Sequence, residues 1–568
     1  MTQTVAHAIG TALAARGVRT VFGLVGSGNF HVTNALTEGG ARFVAARHEG
    51  AAAVMADAYA RVSGEPGILT VHQGPGLTNA MTGIAEAAKS RTPLLVLAPE
   101  VTSLRSNFHI DQAALATAVG AVPLRVTSAA TAAADLETAW RTAVTGRRTV
   151  LLGLPLEVQA EGVGDDPFGP AGPGGRPPGP PGITEVQAVQ ASAPDPDTVG
   201  ALADALTTAS RPVFIAGRGA RHAAQELKAL SERINALLAT SAVSRGLFRG
   251  DPFSLDVSGG FATPVAAELI VGADLVVGWG CALNMWTTRH GTLIGPGATV
   301  VQVDDDADAL GAHRAVDLGV VGDVAATARA VLTELEARAA RSGAGPQAGG
   351  GYRTAKIAER IAREGRWRDV PFEPASEPGR IDPRTLSIAL DDLLPAARTV
   401  AVDSGNFMGY PSMFLGVPDA DGFVFTQAFQ AVGLGLAGAI GAAFARPDRL
   451  TVAAVGDGGL LMGVSELETA VRLGLDMVVV VYDDEAYGAE VHHFGPDGDP
   501  LEHVRFPPAD IAAIGRGFGC AGVTVRSGED LAAVGDWARG PRDRPLVVDA
   551  KVTRSAPSWW LEEAFRGH

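Results

Sequence analysis

The sequence predicts an α/β protein made of three doubly wound domains, each built on a parallel sheet. The chain of 568 residues is too long for one hydrophobic core, and roughly 150 residues per domain suggest three or four domains. Apolar segments with the period of a helix alternate with short apolar strands along most of the chain, which is the pattern of βα units. Two segments that interrupt this pattern, 166–194 and 337–375, are predicted to be linkers between domains at 1–165, 195–336 and 376–568. The first is rich in Pro and Gly, and the second begins rich in Ala, Arg and Gly.

The composition indicates a soluble cytoplasmic protein without a nucleic-acid partner. The net charge of −16 and the pI near 5.2 argue against nucleic acid or an anionic membrane as the main partner, since either would favour a basic surface. Cys281 and Cys520 are the two cysteines of the chain, which excludes a disulfide framework and fits a reducing compartment. The apolar run 431–445 is too short to span a bilayer, and residues 1–15 lack the basic start of a signal peptide.

The first domain is predicted to begin with a helix, a strand and a tight turn. These elements are expected at 5–18, 21–25 and 26–29, and the turn contains Ser27. A second strand at 43–46 leads to Glu49, which opens an Ala-rich helix. An acidic residue at the start of a helix suits the helix dipole, so Glu49 by itself has a structural explanation.

Polar loops follow the next two strands of this domain. One loop holds His72, Gly74, Pro75 and Asn79. Glycine and proline are turn residues, and a lone histidine at a strand end often serves only a structural hydrogen bond. A second polar segment, 106–112, contains His109.

The central domain resumes the alternation of strands and helices. Strands are expected at 212–216, 275–278 and 299–303. The glycines at 217–220 are too weak a fingerprint to predict a dinucleotide site.

The third domain carries the most informative stretch. A strand at 450–455 breaks at the glycine-rich run 456–459, and a continuous apolar strand at 477–482 ends at Asp483 and Asp484. The carboxyl ends of neighbouring parallel strands are where open α/β sheets bind ligands. Asp457 and Asp484 are therefore expected at a ligand-binding edge.

The residue types at this edge predict a diphosphate held through a metal ion. Gly456, Gly458 and Gly459 allow the backbone to approach an anion, and the helix that follows offers free N–H groups. Asp457 and Asp484 would repel a bare diphosphate, so we expect a hard divalent cation such as Mg²⁺ between them.

The segment 455–494 resembles the diphosphate-binding motif of thiamine diphosphate enzymes, which begins Gly-Asp-Gly and ends in Asn-Asn or Asn-Asp. The resemblance implies that Asp457, Asp484 and the carbonyl of Ala486 bind Mg²⁺, and that Tyr487 lies at the cofactor. This chain has Asp483 in place of the first Asn, which adds negative charge and suggests a tighter dependence on Mg²⁺. A mononucleotide loop of another α/β enzyme is the alternative interpretation.

The run 47–64 is similar to the pyrimidine-binding domain of the same family. The resemblance implies that Glu49 activates the cofactor through its aminopyrimidine, and that the loop with Gly74, Pro75 and Asn79 faces the cofactor. His72 and Ser27 match polar residues of benzoylformate decarboxylase-like members, where they would contact the substrate. His109 stands at the Glu position of the Phe-Gln-Glu segment of acetolactate synthase-like members, which leaves the choice of substrate open.

Further roles in the third domain are implied by the same resemblance. Ser404, Gly405 and Asn406 would contact the diphosphate, Val432 would support the bent cofactor, and Glu490 is a candidate proton donor. His492 and His493 are predicted on a strand, where neighbouring side chains point to opposite faces, so a metal site made by the pair is disfavoured. The repeated glycines at 433, 435, 438 and 441 predict a helix packed closely against the sheet.

The family's central domain holds FAD in some members. No specific FAD motif is present in residues 195–336, so FAD stays an open alternative and a structural role is the favoured interpretation.

The activity implied by the resemblance is decarboxylation of a 2-oxo acid, with transfer of the acyl unit to a second carbonyl compound, an aldehyde or a ketone. A decarboxylase without transfer is the nearest alternative, and a regulatory protein that binds the cofactor without catalysis is an alternative of another class. The family arrangement implies a homodimer at least, and commonly a tetramer, in which Glu49 of one subunit meets Asp457 and Asp484 of another.

Overall fold

The computed structural model describes residues 3–164, 192–342, 351–375, 377–555 and 557–564. Three six-stranded sheets follow one another along the chain, and neighbouring strands pair in parallel in each sheet. The predicted fold class of three parallel-sheet domains is confirmed. The predicted linker 166–194 lies almost entirely outside the described residues.

The first domain contains thirteen helices and strands. They are α1 (Val5–Ala15), β1 (Thr20–Gly23), α2 (Phe30–Glu38), β2 (Arg42–Ala45), α3 (Glu49–Ser63), β3 (Gly67–Thr70), α4 (Pro75–Lys89), β4 (Leu94–Glu100), α5 (Gln112–Ala118), β5 (Val122–Arg125), α6 (Ala132–Val144), β6 (Thr149–Pro155) and α7 (Leu156–Gln159).

The central domain and the helix that follows it have the elements α8 (Pro196–Thr208), β7 (Pro212–Ala216), α9 (Ala224–Ile234), β8 (Leu237–Thr240), β9 (Ser254–Val257), α10 (Pro264–Val271), β10 (Leu275–Trp279), α11 (Met285–Thr288), β11 (Thr299–Asp304), β12 (Leu318–Val321), α12 (Val324–Ser342) and α13 (Ala355–Glu364).

The third domain has the elements α14 (Pro383–Leu393), β13 (Arg398–Val402), α15 (Gly409–Phe414), β14 (Phe423–Phe425), α16 (Gly435–Ala445), β15 (Leu450–Gly456), α17 (Asp457–Met462), α18 (Glu466–Arg472), β16 (Met477–Asp483), α19 (Gly488–Phe494), α20 (Ile511–Gly517), β17 (Ala521–Val525), α21 (Leu531–Arg539), β18 (Leu546–Lys551) and α22 (Trp559–Ala564).

The first and third domains share one topology. Their sheets have the orders β2-β1-β3-β4-β6-β5 and β14-β13-β15-β16-β18-β17. In both, the direction of winding reverses between the first and third strands, and such a switch point opens a crevice at the carboxyl ends of the strands. The central sheet has the order β12-β11-β10-β7-β8-β9, which is the strand order of a Rossmann fold.

The strands are buried because helices cover both faces of each sheet. All seven residues of β16 and all seven of β6 are buried, which explains their continuous apolar sequences. No helix in the described ranges has the length and apolar character needed to cross a membrane.

The second predicted linker, 337–375, is largely structured. Helix α12 continues to Ser342, and Arg338 holds this last part through Glu334 Oε1 at 2.7 Å and the carbonyl of Gly200 at 3.1 Å. Helix α13 lies within the same segment, and Tyr352 ahead of it donates a hydrogen bond of 2.6 Å to the carbonyl of Leu269 on α10. Helix α12 therefore continues past the predicted boundary at residue 336, and side-chain contacts hold this part of the helix.

Helix α16 of the third domain packs tightly against α3 of the first. A Cβ atom at Gly441 would lie 2.2 Å from the backbone oxygen of Met55, so only glycine lets the two backbones come this close. The predicted close packing of the repeated glycines is present, but at Gly441 the neighbour is a helix of another domain. At Gly435 the neighbours are Asp403 and Val455, as expected for packing on the sheet.

Candidate active site

The predicted site residues of the third domain lie at its switch point. Ser404, Gly405 and Asn406 follow β13, and the run 456–459 ends β15 and begins α17. These strands are neighbours, and β16, which leads into Asp484, lies beside β15. The topology thus brings together segments that are up to about eighty residues apart in the chain.

Asp457 and Asp484 form a pair of poorly hydrated carboxyl groups. Burial, followed by the charges of Asp484 and Asp483, raises the pKa of Asp457 to about 8. Burial, followed by the charge of Asp483, raises the pKa of Asp484 to about 7, against hydrogen bonds from the amide of Ala486 and the side chain of Asn406. Two such groups at one edge are costly unless a cation neutralises them.

The donor set fits a single hard divalent cation. Two carboxylates and a backbone carbonyl at 486 are oxygen ligands of the kind that Mg²⁺ takes, and Mg²⁺ commonly keeps further positions for phosphate oxygens and water. Within the residues that the structure describes, no group of three or more His, Cys, Asp or Glu side chains is arranged as a metal site. The residues therefore suit a cation shared with a phosphate ligand better than a site made of side chains alone.

Two glycines in the first turn of α17 approach their neighbours so closely that a side chain would not fit. A Cβ at Gly458 would lie 2.7 Å from the ring of Tyr487, whose ring also packs against Phe506 at 4.9 Å. A Cβ at Gly459 would lie 2.5 Å from Oδ2 of Asp403 and 3.3 Å from Val432. Tyr487 and Val432 thus border the glycine run 456–459.

Asp403 is a buried residue that holds the backbone of the site in place, and the sequence analysis did not single it out. Its carboxylate accepts hydrogen bonds from the amides of Ser404 at 2.9 Å, Gly433 at 3.0 Å and Leu434 at 3.1 Å. Gly433 has φ of 89°, a conformation that favours glycine. Burial raises the pKa of Asp403 to about 6. Asp403 fixes the backbone next to Val432, which is itself 42% exposed toward the site.

Asn406 joins the acidic edge to the carboxyl-terminal segment. Its side chain contacts Asp484, while Ser558 and the indole of Trp560 donate hydrogen bonds of 2.9 Å and 3.0 Å to its backbone oxygen. The loop after β13 is therefore held from both sides.

Glu49 begins α3 in the first domain and is half-buried. Its Oε2 accepts a hydrogen bond of 3.1 Å from Asn79, the residue predicted in the loop facing the cofactor. A Cβ at Gly76 would lie 3.3 Å from Oε1 of Glu49 and 3.1 Å from Cβ of His72, so these two side chains flank the same glycine. Gly74 and Pro75 form the start of α4 beside them.

His72 and Ser27 lie at the switch point of the first sheet. A Cβ at Gly26 would lie 2.5 Å from Nδ1 of His72, which brings the turn containing Ser27 next to the imidazole. Within the described part of the chain, Nδ1 of His72 is buried without a hydrogen-bond partner, and the ring packs edge-on against Phe108 at 5.6 Å. Ser27 is exposed. The predicted turn at 26–29 is held by Asn29, whose Oδ1 accepts a hydrogen bond of 2.8 Å from the amide of Gly26.

The contacts of His109 and Glu490 do not join them to the other predicted site residues as closely as those of Glu49 and His72 do. Nδ1 of His109 is 2.9 Å from the carbonyl of Val101, so that nitrogen serves its own loop. Glu490 is exposed in the first turn of α19, which follows the acidic edge. The prediction of a strand for His492 and His493 is wrong, because both lie in α19, and burial lowers the pKa of His492.

Glu466 connects the third domain to the first within one chain, and no local sequence pattern indicates this contact. Its Oε1 accepts hydrogen bonds from the amides of Arg47 at 2.9 Å and His48 at 3.0 Å, immediately before Glu49. Glu468 pairs with Arg47 at 2.6 Å, and Arg472 donates to the carbonyl of Ala45. Helix α18, which follows α17 in the chain, therefore holds the start of α3.

A cavity opens between the central and third domains. Phe261, Trp286 and Trp560 give it an apolar wall, and Arg289, His290 and Gln430 add polar groups. These three polar residues have φ of 49°, 52° and 60°, and strained backbone of this kind concentrates at functional sites.

Three family models match the chain in succession. The descriptions are thiamine pyrophosphate enzyme, N-terminal TPP binding domain, at residues 3–135; the central domain at 199–331; and the C-terminal TPP binding domain at 403–550. These matches agree with the three sheets of the fold.

Curated relatives match nearly the whole chain. A probable 2-ketoarginine decarboxylase, AruI, of Pseudomonas aeruginosa is 30% identical over 93% of this chain and 90% of the relative. An acetolactate synthase large subunit of Parasynechococcus marenigrum is 29% identical over 97% and 87%. A sulfoacetaldehyde acetyltransferase of Rhodobacter capsulatus is 26% identical over 100% and 96%. With its three domains matched in order and its relatives aligned along their length, the chain belongs to the thiamine pyrophosphate enzyme family.

Proposed function

We propose that this chain uses thiamine diphosphate and Mg²⁺ to decarboxylate a 2-oxo acid, and that it transfers the acyl unit to an aldehyde or ketone acceptor. The observation that carries the proposal is the pair Asp457 and Asp484. These buried carboxyl groups follow adjacent strands, beside a glycine loop that suits a phosphate ligand. Glu49 gives further support, because its carboxylate accepts a hydrogen bond from Asn79 beside His72.

Residues of both domains would bind the metal ion and the cofactor. Asp457, Asp484 and the carbonyl of Ala486 would hold Mg²⁺ and the diphosphate. Thiamine diphosphate would supply the electron sink for the charge left when CO₂ departs. Glu49 would hydrogen-bond the aminopyrimidine. Val432 would contact the cofactor, and the hydrogen bond from the amide of Gly433 to Asp403 fixes the backbone beside it.

Polar side chains of the first and third domains would bind the substrate and transfer protons. His72 has a free ring nitrogen beside the turn of Ser27, which suits binding a carboxylate and moving a proton. Glu490 is a further proton donor on α19. We assign the side chain of the 2-oxo acid to the cavity between the central and third domains, because Met408 in its wall lies two residues after Asn406.

A homodimer is part of the proposal. Val432, Met462 and Phe506 are each more than 40% exposed around the acidic edge of this single chain. Apolar side chains clustered at a site rim indicate a surface that another chain covers. We also propose a cytoplasmic location, which suits the two buried free cysteines.

A decarboxylase without transfer is the second candidate. It is favoured by the unpartnered nitrogen of His72, and the relatives include both a probable decarboxylase and synthases. The product separates the two, because protonation releases an aldehyde whereas transfer gives a hydroxy ketone.

The test is a panel of 2-oxo acids with side chains of increasing size, each assayed for CO₂ release with and without an aldehyde acceptor. Binding of thiamine diphosphate is measured separately by tryptophan fluorescence at saturating Mg²⁺. We expect Glu49→Gln to keep the cofactor affinity and to lower turnover by about 10²–10⁴-fold, the usual contribution of a positioned acid–base group.

Asn79→Ala is the matched control, because it removes the hydrogen-bond partner of Glu49 and keeps the carboxyl group. Unchanged turnover in Glu49→Gln would refute the assignment of Glu49. Cofactor binding without CO₂ release from any acid of the panel would instead support the non-catalytic alternative.

A further inference from the structure

Asp483, the last residue of β16, is held by the neighbouring strand β18. Asp483 pairs in register with Lys551 of β18, and Nζ of Lys551 donates a short hydrogen bond to Oδ2 of Asp483. Asp484 lies instead against Asn406 and Gly488.

Lys551 also approaches Asp549, two residues earlier on the same face of β18. Its Nζ lies 3.1 Å from Oδ1 of Asp549 and donates a hydrogen bond of 2.8 Å to the carbonyl of Ala509. The side chains of Lys551, Asp483 and Asp549 are 4%, 1% and 1% exposed. A buried ammonium group between two buried carboxylates is an internal charge pairing, since a charge without a partner would be costly there.

This cluster forms part of the wall around Asp457. Asp483, Ala509 and Ile511 line the same cavity as Asp457, and the amide of Ile511 donates to Oδ2 of Asp549 at 3.2 Å. The amide of Glu485 holds the other oxygen of Asp483 at 3.1 Å. Asp483 therefore borders the space of the proposed cation, and without Lys551 its charge would act on Asp457 uncompensated.

We infer that Lys551 is a positioning residue of the cation site, which ties Asp483 to β18 and cancels its charge so that Asp457 and Asp484 supply the two metal-binding carboxylates. The inference rests on the proposed Mg²⁺ and thiamine diphosphate site. It also changes the meaning of the Asp-Asp pair, because the extra carboxylate that suggested a tighter Mg²⁺ dependence is neutralised inside the protein.

The charge of the cluster can be varied in both directions. With all groups ionised, the two carboxylates and one ammonium carry a net charge of −1. Lys551→Met makes this −2 with a side chain of similar length, Asp483→Asn makes it 0, and the double variant D483N/K551M restores −1. Lys551→Arg keeps the charge and is the conservative control.

The probe is Mn²⁺ alone, whose binding to the full-length protein is followed by electron paramagnetic resonance in the absence of thiamine diphosphate. We expect K551M to bind Mn²⁺ about tenfold more tightly than wild type, and D483N about tenfold more weakly, because one unit charge near a divalent ion in a partly buried site is worth at least that factor. The double variant and K551R should bind as wild type does. Merely structural damage would weaken binding in every variant, so the tightening in K551M and its reversal identify the charge effect.

K551M that binds Mn²⁺ no more tightly than wild type would overturn the inference, as would a double variant that fails to reverse the change. Should K551M fail to fold, D483N decides, since unchanged affinity in that variant contradicts the role of Lys551. Failure of the proposed function is distinguishable, because wild type itself would then show no Mg²⁺-dependent binding of thiamine diphosphate by fluorescence.

Discussion

Gly441 gives the sharpest test of how the first and third domains are joined. It lies in α16 against α3, and a Cβ there would be 2.2 Å from the oxygen, 2.8 Å from the carbonyl carbon and 2.9 Å from the Cα of Met55. A carbon atom normally stays about 3.3 Å or more from a carbonyl oxygen, so Gly441→Ala would force the helices apart by roughly 1 Å. Backbone atoms cannot turn aside as a flexible side chain can.

The cost of this substitution can be isolated with a matched control. Gly438 lies one turn earlier in the same buried helix, and its Cβ would be 3.5 Å from Thr426 and 3.9 Å from Val54, which is ordinary contact. Alanine favours the helix by about 0.8–1 kcal/mol over glycine at both positions, so this gain cancels in the comparison. Overpacking typically costs about 1–3 kcal/mol, and we expect G441A to be less stable than G438A by that amount.

The assay is urea unfolding of both variants, followed by circular dichroism and by the affinity for thiamine diphosphate in Mg²⁺. G441A should have the lower midpoint and bind the cofactor more weakly, because α3 begins at Glu49 and α16 follows Val432. Equal stability of the two variants within about 0.5 kcal/mol would show that α3 and α16 do not pack as described.

Two further predictions concern the acidic groups of the third domain. Asp403→Ala leaves the amides of Ser404, Gly433 and Leu434 without their charged acceptor, at a cost of about 1.5–3 kcal/mol for each hydrogen bond. It should therefore lower the melting temperature and the cofactor affinity more than Asp403→Asn, which keeps one acceptor oxygen. Wild-type cofactor affinity in Asp403→Ala would contradict this role. The second prediction follows from the raised pKa values of Asp457, about 8, and Asp484, about 7. The pKa values of both groups are higher in the folded protein than in the unfolded chain, where they are near 3.8. Their contribution to the free energy of unfolding is therefore fully present below about pH 4, and it is lost as the pH rises through 7 to 8. Mg²⁺ requires the ionised groups, so the stabilisation by Mg²⁺, measured as the melting temperature in excess MgCl₂ minus that in EDTA, should grow over this range, and a constant difference would refute the reasoning.

The sequence was sufficient for the features that depend on neighbours in the chain. The strands β15 and β16 are continuous apolar runs, and the acidic groups that end them follow directly from the motif. The helix at Glu49 was expected from its alanines. Local pattern and topology together therefore located the acidic edge before any contact was known.

The features that were missed depend on distant contacts or on short elements. Glu466 meets the amide of Arg47 across 419 residues, and Asp403 meets Gly433 across 30, so neither partner is visible in a local pattern. The partner of Asp483 is fixed only when β18 pairs with β16. Helix α19 has seven residues, which is too short for its period to distinguish a helix from a strand around His492.

The contacts at the start of α3 favour the ligand-binding explanation of Glu49 over the structural one. In a purely structural role, the carboxylate of Glu49 would stabilise the amino-terminal end of α3, but other groups already bind the backbone amides there. Nδ1 of His48 accepts the hydrogen bond of the Gly50 amide at 3.0 Å, and the carboxylate of Glu466 sits on the amides of Arg47 and His48. The carboxylate of Glu49 is turned to Asn79 and to the face of Gly76 next to His72. A half-buried acid that its own helix does not need, placed among polar groups at a switch point, is explained better by a ligand than by the fold.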